Sequence, residues 1–278
     1  MTKILTKKQA IEYLEMDDKT FENYYQNAEE FPCLEREAGG RYYFDKDCLD
    51  KWVKDYKWRT IELDMDDYLL CLDFALAQHF RGYVLSDWGT ARQREFGQKV
   101  TNWVKGQLAE VAVKKFFKNE FAVDVELDFE IHKEIVPQDI ISVMEKGVLR
   151  APKIGVGIKS SKPKSAYLVL GENEVTLADR KSDVYIFCRP DIPDDHLLRL
   201  TREQIIEAVK DKPLFPTYKN QIPVFESMPC EIAGYCWPEE LERATNIPGQ
   251  DFDGIRFVKK TGNLRRTKED FEDLLRKL

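Results

Sequence analysis

The sequence lacks the short signatures that mark several large enzyme classes. It holds no Gly-x-x-x-x-Gly-Lys-Ser/Thr loop, no Gly-x-Gly-x-x-Gly, no Gly-x-Ser-x-Gly and no His-Glu-x-x-His. Nucleotide hydrolases, dinucleotide enzymes, serine hydrolases and zincins are therefore set aside, and no nucleotide cofactor is expected. The six cysteines (Cys33, Cys48, Cys71, Cys188, Cys230, Cys236) never fall at Cys-x-x-Cys spacing. Neither a zinc cage nor a disulfide framework is indicated, and they read as buried reduced thiols. No apolar run approaches the roughly 20 residues of a membrane span. The start, Met-Thr-Lys-Ile-Leu-Thr-Lys-Lys-Gln, has no signal-peptide apolar core. The expectation is a cytoplasmic protein with no membrane partner. There is no internal repeat.

What is present is an ordinary charged, core-forming chain of 278 residues, 43% apolar and 33% charged. That length suits one or two domains. The net charge of −7 argues against bulk attraction to nucleic acid. A local basic stripe on an acidic protein can still meet a phosphate backbone, so the distribution of charge decides.

The most informative stretch runs from Pro137 to Ser161. Ile154, Val156 and Ile158 alternate with Gly155, Gly157 and Lys159, the period of a strand with its aliphatics on one face and the lysine on the other. Asp139, arriving on a neighbouring strand, would face Lys159 across a narrow cleft, where a divalent metal and a phosphodiester fit between carboxylate and ammonium. Upstream, residues 98–118 form the strongest helical pattern: Val100, Trp103, Val104, Leu108, Val111, Ala112 and Phe116 recur at three and four. Gly106 is expected to allow close approach of a neighbour, and Glu110 sits at the edge of the stripe, turned toward the sheet. On residues alone, Glu110 is equally a solvated helix position.

On the helix carrying Glu110, the Pro137-Gln138-Asp139 triplet and the strand ending in Lys159, the chain resembles the PD-(D/E)xK nuclease superfamily. The resemblance implies a restriction-endonuclease-like α/β fold, a mixed sheet core flanked by helices. Asp139, Glu110 and the backbone at Ile158 would hold Mg2+, with Mn2+ as a substitute, and Lys159 would act on the attacking water and the phosphate. Gly157 departs from the pattern: the family usually carries Asp or Glu two residues before the lysine. Glu110 is then the expected substitute.

The first 60 residues carry their own pattern. Thr6 and Gln9 form a capping box ahead of Ala10, Ile11 and Leu14, and Asp18 caps a second short helix. A hairpin through Gly39-Gly40 follows, then a helix capped by Asp45 with Leu49, Trp52 and Val53 on one face. Thr6-Lys7-Lys8-Gln9-Ala10, Tyr13-Leu14, Lys19-Thr20-Phe21, Gly40-Arg41 and the Asp45, Asp47, Asp50, Trp52 series resemble the winged helix-turn-helix of the excisionase and MerR-like family. That resemblance implies DNA contacts from Lys19, Thr20, Asn23 and Gln26 on the second helix, and from Arg36, Arg41 and Tyr42 on the wing. Acids slightly outnumber bases over these residues, so a protein-binding module is the other reading. The boundary is placed near residue 60, giving a winged helix-turn-helix domain over 1–60 and a nuclease-like domain over 61–278.

Elsewhere, residues 66–80 read as an amphipathic helix. Arg92 and Arg94 are either surface charges or phosphate contacts. Residues 121–131 alternate like a long strand, and His132 reads as structural. Strands are expected at 137–143, 154–161, 166–170 and 183–189, with a turn at Lys146-Gly147. A helix over 200–210 is capped by Thr201, and the proline-rich stretch 213–238 is expected to be irregular. The acid-free run 255–268, with Lys259, Lys260, Arg265 and Arg266, is the candidate phosphate-tracking surface. A final helix covers 268–278. Together these readings point to a Mg2+-dependent endodeoxyribonuclease acting on double-stranded DNA, a homodimeric restriction or defence enzyme. The alternative is a non-catalytic DNA-binding regulator or mobile-element accessory protein with a degenerate core.

Overall fold

The computed structural model describes residues 3–14, 18, 21, 34, 42–81, 95–132, 138–163, 165–225 and 227–278. The chain is a mixed α/β protein with several small sheets.

Near the N-terminus, β1 (Ile4–Thr6) pairs antiparallel with β2 (Tyr43–Asp45). Helix α1 (Lys7–Tyr13) starts at the expected capping box: the Thr6 amide donates to Gln9 Oε1 at 2.9 Å, and the Gln9 amide donates back to Thr6 Oγ1. Helix α2 (Lys46–Trp58) starts at Asp45, whose carboxylate accepts from the Asp47 and Cys48 amides at 2.9 and 3.1 Å. Leu5, Ala10, Phe21, Phe44 and Leu49 close a small core of their own. The far end of α2 belongs to a different core. Trp58 packs edge-on to Phe116, Phe121 and Phe271, and buried Arg59 donates to Glu231 at 3.1 Å.

The larger core is organised by β3 (Thr60–Leu63), α3 (Met65–Arg81) and α4 (Phe96–Phe121), the last carrying a buried face from Val100 to Phe117. After α4 come β4 (Val125–Leu127), β5 (Ile140–Glu145) and β6 (Val148–Arg150), an antiparallel meander. The Lys146-Gly147 turn between β5 and β6 has positive φ at both residues, as expected of a tight hairpin. Then follow β7 (Val156–Ser160), β8 (Tyr167–Gly171), α5 (Glu172–Thr176) and β9 (Val184–Pro190), with β9 running parallel to β7.

Beyond β9 lie α6 (His196–Leu200), α7 (Arg202–Val209), α8 (Phe215–Tyr218), β10 (Met228–Cys236), β11 (Glu242–Ile247), β12 (Gln250–Lys260) and α9 (Lys268–Lys277). The main sheet has the order β3-β10-β9-β7, and β8 joins the β11-β12 hairpin in a second sheet. Along β9 the side chains alternate between two cores. Val184, Ile186 and Cys188 join the cluster around α4, while Tyr185 and Phe187 join Leu168, Leu170 and Leu264 on the opposite face. A strand buried on both faces reads as a continuous apolar run, which is how Val184–Cys188 reads.

Four expectations are corrected. The long strand over 121–131 is only β4, because α4 continues through Phe121 and ends at Ala122, which adopts the left-handed conformation. The proline-rich stretch contains β10, an interior strand of the main sheet. Pro229 is tolerated near its start, and its carbonyl accepts from Asp191 at 2.8 Å. Gly106 has open space where a Cβ would stand, so it serves no close packing. Thr201 precedes α7 without capping it; its hydroxyl donates back to the Leu197 carbonyl at 2.9 Å.

Candidate active site

The site is built where the start of β5 meets β7. Asp139 is held there by main chain and side chain alike: its amide donates to the Val156 carbonyl at 3.0 Å, and its Oδ2 accepts from the Ile158 amide at 2.5 Å. The alternation of the strand explains this. Ser161 and Gly155 bond across to β9, so Val156 and Ile158 direct their backbone groups to the other edge, toward Asp139. The Ile158 carbonyl lies on that edge. Asp139 is thereby tied to the residue preceding Lys159.

Glu110 comes from α4, which packs on β7. Gln107, one turn earlier, is on the same face, and its Nε2 donates to Glu110 Oε2 at 2.7 Å. Glu110 and Asp139 line one small cavity of about 70 Å³ together with Gln78, Asp128 and His132. Burial pushes the Glu110 carboxyl well above the usual carboxylate range. The Asp139 charge adds to the shift, and the Gln107 amide and the Lys159 ammonium oppose it. Burial likewise raises Asp139 to about 6, against the pull of the Lys159 ammonium and the Ile158 amide. Two carboxylates compete for one buried place, and each disfavours the other's charge. His132 Nε2 donates to Asp128 Oδ2 at 2.7 Å, and the Asp128 Oδ1 accepts from the Glu130 amide at 2.9 Å. His132 and its partner Asp128 both line the cavity.

Lys159 leaves β7 on the opposite face. Its Nζ donates to Glu174 on α5 at 2.9 Å, and Glu174 also accepts from the Gly171 amide at 2.8 Å. Burial works against the lysine's charge, but the Glu174 and Asp139 carboxylates outweigh it and hold the ammonium above its ordinary value. Lys159 lines a groove of about 680 Å³ with Ser160, Ser161, Ser165, Tyr167 and the tip of the β11-β12 hairpin at Ile247, Pro248 and Gln250. Lysine and carboxylates therefore stand on either side of one strand edge, close enough to shift each other's protonation but lining different cavities.

Gly157 does not leave a coordination place open. A Cβ there would meet Ser182 Oγ at 2.6 Å and the Tyr185 ring at 3.2 Å. Tyr185 is itself fixed, its hydroxyl donating to the Glu174 carbonyl at 2.6 Å. The space beside Lys159 that an acid at 157 would enter is occupied by an aromatic ring, and the acid that Lys159 meets is Glu174. Sequence spacing gave no sign of Glu174, which reaches Lys159 from α5. Gln78 had one signal: a glutamine falls on the buried stripe Tyr68, Cys71, Phe74, Ala75 of α3.

The basic candidates are not gathered at Asp139. Lys259 and Lys260 lie on β12, paired with Leu168 and Tyr167 of β8, and Lys260 lines a second pocket next to the groove. Arg265 is engaged with Glu240 at 2.8 Å. Arg266 donates its amide to Asp270 at 3.0 Å. The Tyr42 ring stacks on Phe44. Lys19, Thr20, Asn23, Gln26, Arg36, Arg41, Arg92, Arg94 and Pro137 lie outside the described residues.

No protein-family model, no curated protein and no solved structure matches the chain. Among the described residues, no helix is long and apolar enough to cross a membrane, and no three His, Cys, Asp or Glu side chains form a ready-made metal cage.

Proposed function

We propose that the chain is a divalent-cation-dependent nuclease that hydrolyses phosphodiester bonds of double-stranded DNA, with a restriction-endonuclease-like core and a winged helix-turn-helix module. The observation that carries this reading is Asp139 anchored on the Ile158 amide, one residue before Lys159, with Glu110 in the same cavity. The order of helix α4, strands β4, β5 and β7, and then β9 parallel to β7 supports it as well.

The donor set fits a hard cation such as Mg2+ or Mn2+. Glu110, Asp139 and the Ile158 carbonyl are all oxygen donors, and Mg2+ takes one or two carboxylates and keeps several waters, so a three-acid cage is not required. Such an ion, when bound, supplies Lewis-acid polarisation of a phosphoryl oxygen and a more acidic water. The two raised carboxyls are the counterpart of this, since a cation between them removes the mutual repulsion.

Lys159 keeps its proton, because Glu174 and Asp139 hold its ammonium in the charged form. It therefore acts by orienting water and stabilising charge on the phosphate, and not as a general base. Glu174 is a positioning residue that fixes the lysine's direction. The groove in front of Lys159, with three serine hydroxyls and the hairpin as its far wall, is where the substrate strand lies. The winged module contributes affinity or selectivity, and two copies act on the two strands of the duplex.

Supercoiled plasmid incubated with the protein in Mg2+ and in EDTA tests this. Nicking or linearisation in Mg2+ alone supports the nuclease. A gel shift without cleavage favours the non-catalytic DNA-binding regulator, whose supporting observation is the packed glycine at 157.

A further inference from the structure

We infer that Gln78 supplies a further protein oxygen to the cation held between Glu110 and Asp139. The inference rests on the proposed function for the presence of a cation, and on the cavity for the choice of residue. Gln78 is on α3, at a position of the helix that otherwise buries apolar side chains, and it is 1% exposed. Its amide orientation is fixed. Nε2 donates to the His132 carbonyl at 3.0 Å, an acceptor that only the NH2 end can satisfy. Among the described residues, Oε1 then has no hydrogen-bond partner.

A fully buried acceptor without a donor is rare and calls for a ligand or ordered water. Gln78 lines the same cavity of about 70 Å³ as Glu110 and Asp139. The donors the structure places on those carboxylates, from Gln107 and the Ile158 amide, go to Glu110 Oε2 and Asp139 Oδ2. The cavity thus gathers an amide oxygen and the carboxylates of Glu110 and Asp139, hard donors of the kind that Mg2+ and Mn2+ take, with Asp128 also in its lining and bonded to His132. Its volume admits an ion with ordered water. A cation satisfies Gln78 Oε1 and offsets the carboxylate repulsion together, whereas a water alone satisfies only the first.

The test is Mn2+ binding to the full chain, followed by the loss of the free-ion electron paramagnetic resonance signal, for wild type, Gln78→Met and Gln78→Glu. Methionine keeps the volume and removes the oxygen; glutamate keeps an oxygen and removes the NH2 donation to His132. Gln78→Met is expected to bind Mn2+ about tenfold more weakly or worse, and Gln78→Glu at least as tightly as wild type. Binding of Gln78→Met within twofold of wild type would overturn the inference. So would equal weakening in both variants, which assigns Gln78 to its His132 bond alone. If Gln78→Met loses its native near-ultraviolet circular dichroism, Gln78→Glu decides: unweakened binding supports the ligand role and weakened binding overturns it. Wild type that binds no Mn2+ overturns the inference and the cation-dependent reading together. Mn2+ binding that depends on Gln78, in a protein that never cleaves DNA, leaves the inference standing and removes the nuclease.

Discussion

The carboxylate of Asp139 lies 2.5 Å from the backbone nitrogen of Ile158, so the acid, which leads into β5, is anchored to β7 one residue before Lys159. Replacing Asp139 by Asn keeps the shape and removes the charge. Cleavage is expected to fall ~10²-fold or more, while DNA binding measured by gel shift stays within a few-fold. Equal loss of both would point to misfolding.

Asp139 also predicts a pH dependence. Burial raises its folded value to about 6 from an ordinary 3.8, so the folded state binds the proton more tightly than the unfolded one. Its contribution therefore makes the metal-free protein lose stability as pH rises from about 4 to about 6. Glu110, raised by the same burial, acts in the same direction. Thermal unfolding of wild type and Asp139→Asn in EDTA checks this: the Tm advantage of the variant should grow across that window, and Mg2+ should remove it.

His196 has the opposite character. It is fully buried between the Tyr68 hydroxyl at 2.7 Å and the Thr101 hydroxyl at 2.8 Å. Burial, aided by Lys105, lowers it to about 4. The ring is expected to remain neutral throughout neutral pH, and a ring-carbon NMR signal should show no titration step above pH 5.

Gly157 is set by packing. Gly157→Ala drives a methyl against Ser182 and Tyr185, with an expected cost of ~1–3 kcal/mol typical of overpacking. Ser182→Gly should recover part of that cost in the double variant, as read by urea unfolding. Additive effects would argue that the contact is not the cause.

Local signals were legible in the sequence and through-space ones were not. The Thr6-Gln9 box, the Asp45 cap, the Lys146-Gly147 turn and the α4 stripe are set by residues within a turn of each other, so their spacing alone announced them. Asp139 and Lys159 were legible as a pair because an adjacent strand edge joins them. Strand β10 was hidden by Pro229, whose effect on the local pattern is overridden by partners on both sides. The actual neighbours of the site, Gln78 from α3 and Glu174 from α5, come from elements that only the fold brings together. Gly157 looked like a missing ligand because spacing does not show the Tyr185 ring that fills its place.

Asp139 and Lys159 are proposed to serve chemistry on a DNA phosphate. The most direct test is single-turnover cleavage of an end-labelled duplex carrying a cut site mapped on plasmid, with DNA binding measured in parallel, for wild type, Asp139→Asn and Lys159→Met. Wild type is expected to cleave in Mg2+ and not in EDTA, and both variants to lose cleavage while retaining binding. Cleavage by either variant at the wild-type rate, or metal-independent cleavage by wild type, would contradict this role.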